Sequence, residues 1–317
     1  MSDELQDGLW PHFVPLWTDL RAITPTVRLA GGYALFLKQR WLISQSRSLS
    51  TTGDASFVDD RGGTSTAVAV PTVIDMTRWS DVAPRVTKDF DFIVSLELIA
   101  SEGDQKTLTG VLAKHGFEVV KRNARWQFEK KVMDDQSVLL DFHAPSPVEP
   151  RDDLRVENRR VKPGRSLGDT GIHGRENPEA NATELHPFAF TYQSLDLLIP
   201  HPLAFAIMKL IAMNDRWQAS SVAASPEARL TEGRLAQKHA EDLMRIMAMT
   251  TRAEMDLTTT MLAALRGTPS YMAAARVFAE SFTSASGWAA PAVARSWRDD
   301  DFALMQSILA QWFGPAK

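Results

Sequence analysis

The pattern of apolar residues changes near residue 196, and this change constrains the fold more than any other feature of the sequence. Before it, helical and strand patterns follow one another; from Pro202 onward, the pattern is helical. The sequence DFDFIVS at 89–95 alternates polar and apolar residues and predicts a central strand. We therefore expect an α+β protein, with helices and a sheet of about four or five strands over 1–195 and a helical domain over 196–317.

Periodicity, glycines, prolines and helix-capping residues give the individual elements. Helices are predicted at 5–22, 33–42, 104–115, 202–217, 226–249, 251–267, from 268 onward and at 298–313. Strands are predicted at 27–30, 89–95, 117–120, 125–132 and 137–142, with weaker patterns near 159–163 and 187–192. Residues 44–82 are rich in Ser, Thr, Gly and Asp, which indicates an insertion, and one strand is expected within it at 67–74.

Composition excludes several classes of protein. Lys and Arg number 35 against 39 Asp and Glu, a net charge of −4, so the chain is not expected to coat nucleic acid. The absence of Cys rules out disulfides, thiolate metal sites and a cysteine nucleophile. No uncharged stretch reaches the roughly 18 residues of a membrane span, and the acidic N-terminus is unlike a secretory signal. We expect a soluble, cytoplasmic protein with no membrane partner.

Three aspartates are candidates for a metal site. Asp89 and Asp91 are two positions apart on a predicted strand, so both side chains point to one face. Asp141 ends another apolar strand, VLLDF, and His143 lies on the same face of that strand. Adjacent carboxylates repel one another, and a divalent cation such as Mg²⁺ or Mn²⁺ relieves that repulsion. Two interpretations stay open: a two-metal site for phosphoryl transfer, with His143 behind the ligands, or solvated strand ends.

Two further features suit phosphate chemistry, and each has a structural alternative. Gly31-Gly32 separates a predicted strand from a helix, so a phosphate can approach the helix N-terminus there, although a tight turn has the same pattern. Lys209 lies in LAFAIMKLIAM and needs an acidic or phosphate partner. Arg216 follows on nearly the same face of that helix. Asp242, on the next predicted helix, is a candidate partner for Lys209, and the alternative is a purely structural ion pair.

Five segments taken in order resemble a known family. They are LAGGYAL (29–35), RVTKDFDFIV (85–94), LLDF (139–142), MKLIAMNDR (208–216) and KHAEDL (238–243). The series resembles the AbiEii-type nucleotidyltransferases, the toxins of type IV toxin–antitoxin systems, within the DNA polymerase beta-like nucleotidyltransferase superfamily. The resemblance covers about residues 27–245.

The resemblance implies a nucleotidyltransferase domain with a small mixed sheet at 1–195, and a helical domain at 196–317 that contributes two residues to the site. The implied metal ligands are Asp89, Asp91 and Asp141. Lys209 would face the phosphates of a nucleoside triphosphate, and Asp242 would be the essential late acidic residue. The resemblance assigns the Gly31-Gly32 turn to the triphosphate, and Arg85 and Thr87 would contact phosphate or brace the strand. Arg216 is a further candidate for binding the nucleotide.

The main functional hypothesis is a metal-dependent nucleotidyltransferase that moves a nucleoside monophosphate from an NTP to a hydroxyl of RNA, such as tRNA, or of a protein. The resemblance adds a role as a toxin, with a cognate antitoxin as partner. One alternative is a catalytically silent NTP-binding or partner-binding module, and another is a kinase-like phosphotransferase. Residues 151–165 carry six basic and three acidic side chains, which fits contact with a phosphate chain or a solvated loop.

Overall fold

The chain is a mixed α+β protein that divides into two compact units. The computed structural model describes residues 7–50, 72–75, 87–120, 125–133, 136–164, 167 and 170–314. The first unit comprises 1–34 and 85–200, and the second comprises 35–84 and 201–317. Residues 44–50, which the sequence predicts to begin the insertion at 44–82, continue the helix Gly31–Ser50 instead, because the helix started at the glycine pair runs on through them. The rest of that insertion, with most of its expected strand at 67–74, lies outside the described residues.

Eight strands of the described residues form one mixed sheet, and two more form a separate hairpin. The strands are β1 (Arg28–Ala30), β2 (Asp89–Ile93), β3 (Glu118–Val119), β4 (Gln127–Met133), β5 (Gln136–Ala144), β6 (Leu154–Glu157), β7 (Arg160–Pro163), β8 (Gly174–Glu176), β9 (Phe188–Tyr192) and β10 (Leu195–Ile199). The sheet order is β1-β2-β5-β8-β7-β6, while β4 pairs with β5 and β3 pairs with β4. The β2–β5 and β5–β8 pairs are parallel, and the other pairs in the sheet are antiparallel.

The sheet is larger than the four or five strands that the sequence predicts. The extra strands β6, β7 and β8 have only three or four residues each, so alternation between polar and apolar positions cannot show clearly in the sequence. The weak patterns near 159–163 and 187–192 are confirmed as β7 and β9. β6, β8 and β10 escape prediction because their neighbours in the sheet, rather than their own sequence, specify them.

Helices precede, separate and follow the strands along the chain, and they make up most of the described part of the second unit. They are α1 (Trp10–Ile23), α2 (Gly31–Ser50), α3 (Leu96–Ala100), α4 (Glu102–Lys114), α5 (Pro202–Val222), α6 (Pro226–Ala248), α7 (Arg252–Leu265), α8 (Pro269–Phe278), α9 (Ala289–Ala294) and α10 (Asp299–Phe313). The predicted capping box at the start of α7 is confirmed, because Thr251 accepts from the backbone N–H of Glu254 and the Glu254 carboxylate accepts from that of Thr251.

Aromatic side chains form the core of the first unit. The ring centroid of Phe13 lies 5.4 Å from that of Phe90 and 5.0 Å from that of Tyr33. The ring of Trp17 lies 5.9 Å from that of Phe92. These five side chains are at most 1% exposed. Because successive residues of a strand point to opposite faces, the phenylalanines of β2 fill this core while the aspartates between them face the other way.

The Gly31-Gly32 pair begins helix α2 directly, instead of forming a separate turn before it. Gly31 has a positive φ of 65°, a conformation that other residues adopt at a cost. A Cβ atom at Gly31 would lie 1.7 Å from Oδ2 of Asp91, so a side chain cannot be placed there without moving that carboxylate. The backbone at the start of α2 therefore lies directly against Asp91.

A buried ion pair stabilises the second unit. Lys38 on α2 donates to both carboxylate oxygens of Glu254 at 2.6 and 2.7 Å, and both side chains are almost fully buried. Burial lowers the pKa of the Lys38 ammonium, and the carboxylate of Glu254 acts in the opposite direction. Glu254 thus caps α7 and neutralises a buried cation at the same time.

We expect Gly31→Ala to lower the free energy of unfolding by about 2 kcal/mol or more, because it combines a left-handed φ with a clash against Asp91. The matched control is Gly110→Ala within α4, where a Cβ meets no atom within 4 Å. Since glycine is a poor helix former, this control should raise the free energy of unfolding by roughly 0.5–1 kcal/mol. Urea unfolding of both variants measures their free energies of unfolding. Equal changes in the two variants would contradict the close approach of Gly31 to Asp91.

Candidate metal centre

Two carboxylates and an imidazole meet on one face of the sheet in the first unit. Asp91 on β2 is the register partner of Asp141 on β5, and His143 follows Asp141 two residues later. One ligand atom from each of these three residues lies within 4.8 Å of the others. Asp89, two residues before Asp91 at the start of β2, is on the same face of the sheet. The parallel pairing therefore brings together two of the three aspartates that the sequence predicts for a metal site, Asp91 and Asp141, while Asp89 lies on the same face opposite Leu139 and outside this cluster.

Neighbouring polar side chains hold the cluster in place. Gln127 on β4 donates from its side-chain amide to Oδ1 of Asp141 at 2.7 Å. The amide nitrogen of Asn177 lies 3.1 Å from Nδ1 of His143, and Nε2 of His143 lies 3.1 Å from Oδ1 of Asp91. Because an amide NH₂ only donates, Nδ1 is an acceptor here and Nε2 carries the hydrogen that it donates to Asp91. His143 thus orients the Asp91 carboxylate from behind.

The electrostatics of the cluster favour an added cation. Burial, and after it the nearby negative charge of Asp91, raise the pKa of the Asp141 carboxyl to about 6. His143 and the Gln127 amide lower it by smaller amounts. At neutral pH, two ionised carboxylates therefore face each other in a half-buried setting, where their charges repel.

The donor set fits a hard divalent cation. Carboxylate oxygens from Asp91 and Asp141 are the ligands that Mg²⁺ and Mn²⁺ prefer, and Asp89 can add a third. The hydroxyl of Thr87 donates to the carboxylate of Asp89, which fixes that side chain at the start of β2. With His143 donating to Asp91, the arrangement matches metal sites in which a second layer of hydrogen bonds orients the ligands.

A buried arginine lies on the same sheet face, one strand further on. Arg28 on β1 is the register partner of Ile93 on β2 and is 5% exposed. Its Nε and Nη1 atoms have no hydrogen-bond partner in the described part of the chain. Burial lowers the pKa of this guanidinium, and the carboxylate of Glu184 acts in the opposite direction. Sequence reasoning missed this residue because nothing in the sequence RLA marks its arginine as buried.

The predicted phosphate-facing residues of the second unit are paired with acidic side chains. Nζ of Lys209 lies 2.8 Å from Oδ2 of Asp242, and these side chains are 8% and 0% exposed. The predicted partnership of Lys209 with Asp242 is thus confirmed. Arg216 on α5 forms a 3.0 Å ion pair with Glu232 on α6. The part that Lys209, Asp242 and Arg216 would take in binding phosphates stays a prediction.

The remaining predicted phosphate-binding residues are the glycine pair and Arg85. Gly31 and Gly32 form the first turn of α2, with Gly31 against Asp91. Arg85 lies outside the described residues. Gln127 and Asn177, which hold the cluster, escape prediction because each becomes a neighbour of the aspartates only through the folded sheet.

Comparison with family models, with curated proteins and with solved structures finds no match for this chain. Among the described residues, no helix has the length and apolar character needed to cross a membrane.

The raised pKa of Asp141 predicts how stability depends on pH. The folded chain keeps the Asp141 proton up to about pH 6, whereas the unfolded chain loses it near its usual pKa of 3.8. The folded state binds more protons in this window, so the free energy of unfolding falls as the pH rises through it, by about 3 kcal/mol in total. Asp141→Asn should therefore be more stable than the wild type at pH 7 and lose this advantage towards pH 4.

Guanidinium unfolding with a chelator present, repeated between pH 4 and pH 7, measures the difference between the two proteins. Asp152→Asn, at an exposed position of the same unit, is the matched control and should follow the wild type at every pH. A constant difference between Asp141→Asn and the wild type across this range would contradict the raised pKa.

We expect Lys209→Met to lower the free energy of unfolding by about 3 kcal/mol, because it removes the cation that lies 2.8 Å from the fully buried Asp242, while the nearer guanidinium nitrogen of Arg245 lies 3.9 Å away. The double variant Lys209→Met/Asp242→Leu removes both charges and should recover most of the loss. Urea unfolding of the two variants makes the comparison. A double variant as unstable as Lys209→Met would show that the carboxylate is not the source of the instability.

Proposed function

We propose that the chain is a metal-dependent nucleotidyltransferase, which moves a nucleoside monophosphate from an NTP to an acceptor hydroxyl. The observation that carries the proposal is the Asp91–Asp141–His143 cluster, in which two carboxylates from adjacent parallel strands converge with an orienting imidazole. The resemblance of the sequence around Asp89, Asp91 and Asp141 to AbiEii-type enzymes supports the same assignment. The fit of the donor atoms to Mg²⁺ or Mn²⁺ supports it independently.

The chemistry follows from the positions of these residues. A bound divalent cation would neutralise charge on the phosphates as the reaction proceeds. Asp91 and Asp141 would hold it, with Asp89 as a third ligand, and His143 would keep the Asp91 carboxylate in place. The acceptor oxygen attacks the α-phosphorus, the bond from that phosphorus to the bridging oxygen breaks, and pyrophosphate leaves. As an alternative to holding the cation, the Asp141 carboxylate would accept the proton of the acceptor hydroxyl.

The environment of the cluster suits a polyanionic substrate. The N-terminus of the 20-residue helix α2 lies against Asp91 and adds positive potential at the glycine pair Gly31-Gly32. Arg28 provides a buried guanidinium on the same sheet face. Thr87 and Arg85 would brace the start of β2 or contact phosphate, as the resemblance implies. The proposed acceptor is an RNA, such as tRNA, or a protein. As the resemblance implies, the chain would act as a toxin, with a cognate antitoxin as its partner.

Labelling with radioactive nucleotides tests the reaction type. The protein is incubated with each NTP carrying ³²P in the α-position, with Mg²⁺ or Mn²⁺, total RNA and a protein extract. Metal-dependent labelling of RNA or protein is the expected result. Transfer from γ-labelled ATP alone would favour the kinase-like reaction, and NTP binding without any transfer would favour the silent binding module.

We expect Asp91→Asn to reduce metal-dependent transfer by about a hundredfold or more, because it removes one charge from the metal-binding cluster. Its fold should stay intact, since removing one of two repelling carboxylates relieves strain on the apo protein. Asp152→Asn is again the control and should transfer at the wild-type rate. Labelling by Asp91→Asn at the wild-type rate, in a protein of normal stability, would overturn the proposed metal centre.

A further inference from the structure

Strand β6 is the last strand of the sheet, and its outer edge is open in the described part of the chain. It joins β7 through Asn158 and Arg159, whose positive φ angles of 52° and 58° are those of a two-residue type I′ turn. Such a turn makes the flanking pair Glu157–Arg160 a hydrogen-bonded pair. At the other end of the hairpin, the backbone N–H of Gly164 donates to the carbonyl of Asp153 at 2.8 Å, so Asp153 and Gly164 are also a hydrogen-bonded pair.

This alternation fixes which backbone groups face outward. Hydrogen-bonded and non-hydrogen-bonded pairs alternate along an antiparallel ladder. Because Glu157 and Arg155 bond to β7, the N–H and C=O groups of Val156 point away from it. Neither group has a hydrogen bond to any other described residue. The middle of β6 therefore presents one unused donor and one unused acceptor to an added strand.

The apolar face of the sheet continues to this open edge. Val156 shares that face with Leu154 and is 47% exposed, although most valines in strands are covered. Beside them is a cavity of about 350 Å³ lined by the loop that precedes β6. Val148 in that loop is 90% exposed, the largest exposure among the large apolar side chains of the described residues. Association along this edge would remove both valines from water.

The opposite face of β6 carries charges in a self-complementary order. Arg155 and Glu157 flank Val156, one on each side. Arg155 stands opposite Lys162 on β7, so its neighbour within the sheet is another cation. Glu157 accepts from Nζ of Lys162 at 2.7 Å and keeps a side chain that is 54% exposed. A second strand that places a carboxylate opposite Arg155 would relieve the repulsion between Arg155 and Lys162.

We propose that β6 pairs antiparallel with β6 of a second copy of this chain, about a two-fold axis through Val156. In this register the two Val156 residues exchange both of their outward hydrogen bonds. Arg155 then stands opposite the partner's Glu157, and Glu157 opposite the partner's Arg155. The same patch fits itself without any change of sequence, as an isologous contact requires. This pairing is independent of the proposed catalytic activity.

The contact is short, so the dimer is weak and forms at high protein concentration. A four-residue strand with one apolar groove is at the low end of known interfaces. Sedimentation velocity of the full chain from about 1 to about 500 μM should show a shift from monomer to dimer. In the same range, hydrogen exchange of the Val156 amide should slow as the concentration rises, because that N–H becomes a donor.

Charge reversal provides the decisive comparison. Arg155→Glu alone places glutamates opposite each other twice, and Glu157→Arg alone does the same with arginines. Each single variant should weaken dimerisation by at least about tenfold. An equimolar mixture of the two variants restores both opposite-charge pairs, so heterodimers should form with wild-type affinity to within about threefold. Arg229→Glu, at an exposed position on α6, is the matched control and should dimerise like the wild type.

Val156→Pro tests the backbone contact separately. Proline is tolerated at an edge position whose N–H faces outward, so this variant should keep its circular dichroism spectrum and lose dimerisation. The proposal is overturned by a wild-type chain that stays monomeric at all concentrations, by a dimer that the single charge reversals leave unchanged, or by a mixture that does not rescue association. A folded Val156→Pro variant that dimerises like the wild type would overturn it as well.

Discussion

The parallel pairing of β2 with β5 is the interaction on which the candidate site depends. It sets Asp91 beside Asp141 and carries His143 to the adjoining position. Because side chains alternate across a strand, the same pairing sends Phe90 and Phe92 into the aromatic core. A slip of one residue would bury the carboxylates among aromatic rings and expose the phenylalanines. The core thus holds the register that brings Asp91, Asp141 and His143 together.

Other parts of the first unit refine this arrangement. Gln127 from β4 fixes the Asp141 carboxylate, and Asn177, which follows β8, fixes the ring of His143. Gly31 lets the start of α2 approach Asp91 more closely than any other residue would. These contacts come from segments far apart in the sequence. The geometry of the carboxylates is therefore a property of the complete unit, and no single motif contains it.

The sequence predicts the elements with strong local signals. The alternation in DFDFI, the capping residues Thr251 and Glu254, and the partnership of Lys209 with Asp242 all depend on short-range patterns or on one anomalous charge, and the structure confirms them. The short strands β6 and β8 have no such signal, because three or four residues reveal little periodicity. β10 is as long as β2, but the alternation in its sequence LDLLI ends after three residues. Gln127 and Asn177 contact the cluster through tertiary structure that the local sequence does not encode.

The repulsion between Asp91 and Asp141 also places a limit on how the protein can change. At neutral pH the sheet keeps two like charges where an amide or an apolar side chain would be tolerated better. Selection for heat resistance alone would therefore favour the loss of one carboxylate, and position 141, where burial raises the pKa of the aspartate, would be the first to change. Retention of both aspartates in a population under such selection would itself be a sign that the charge pair is being used.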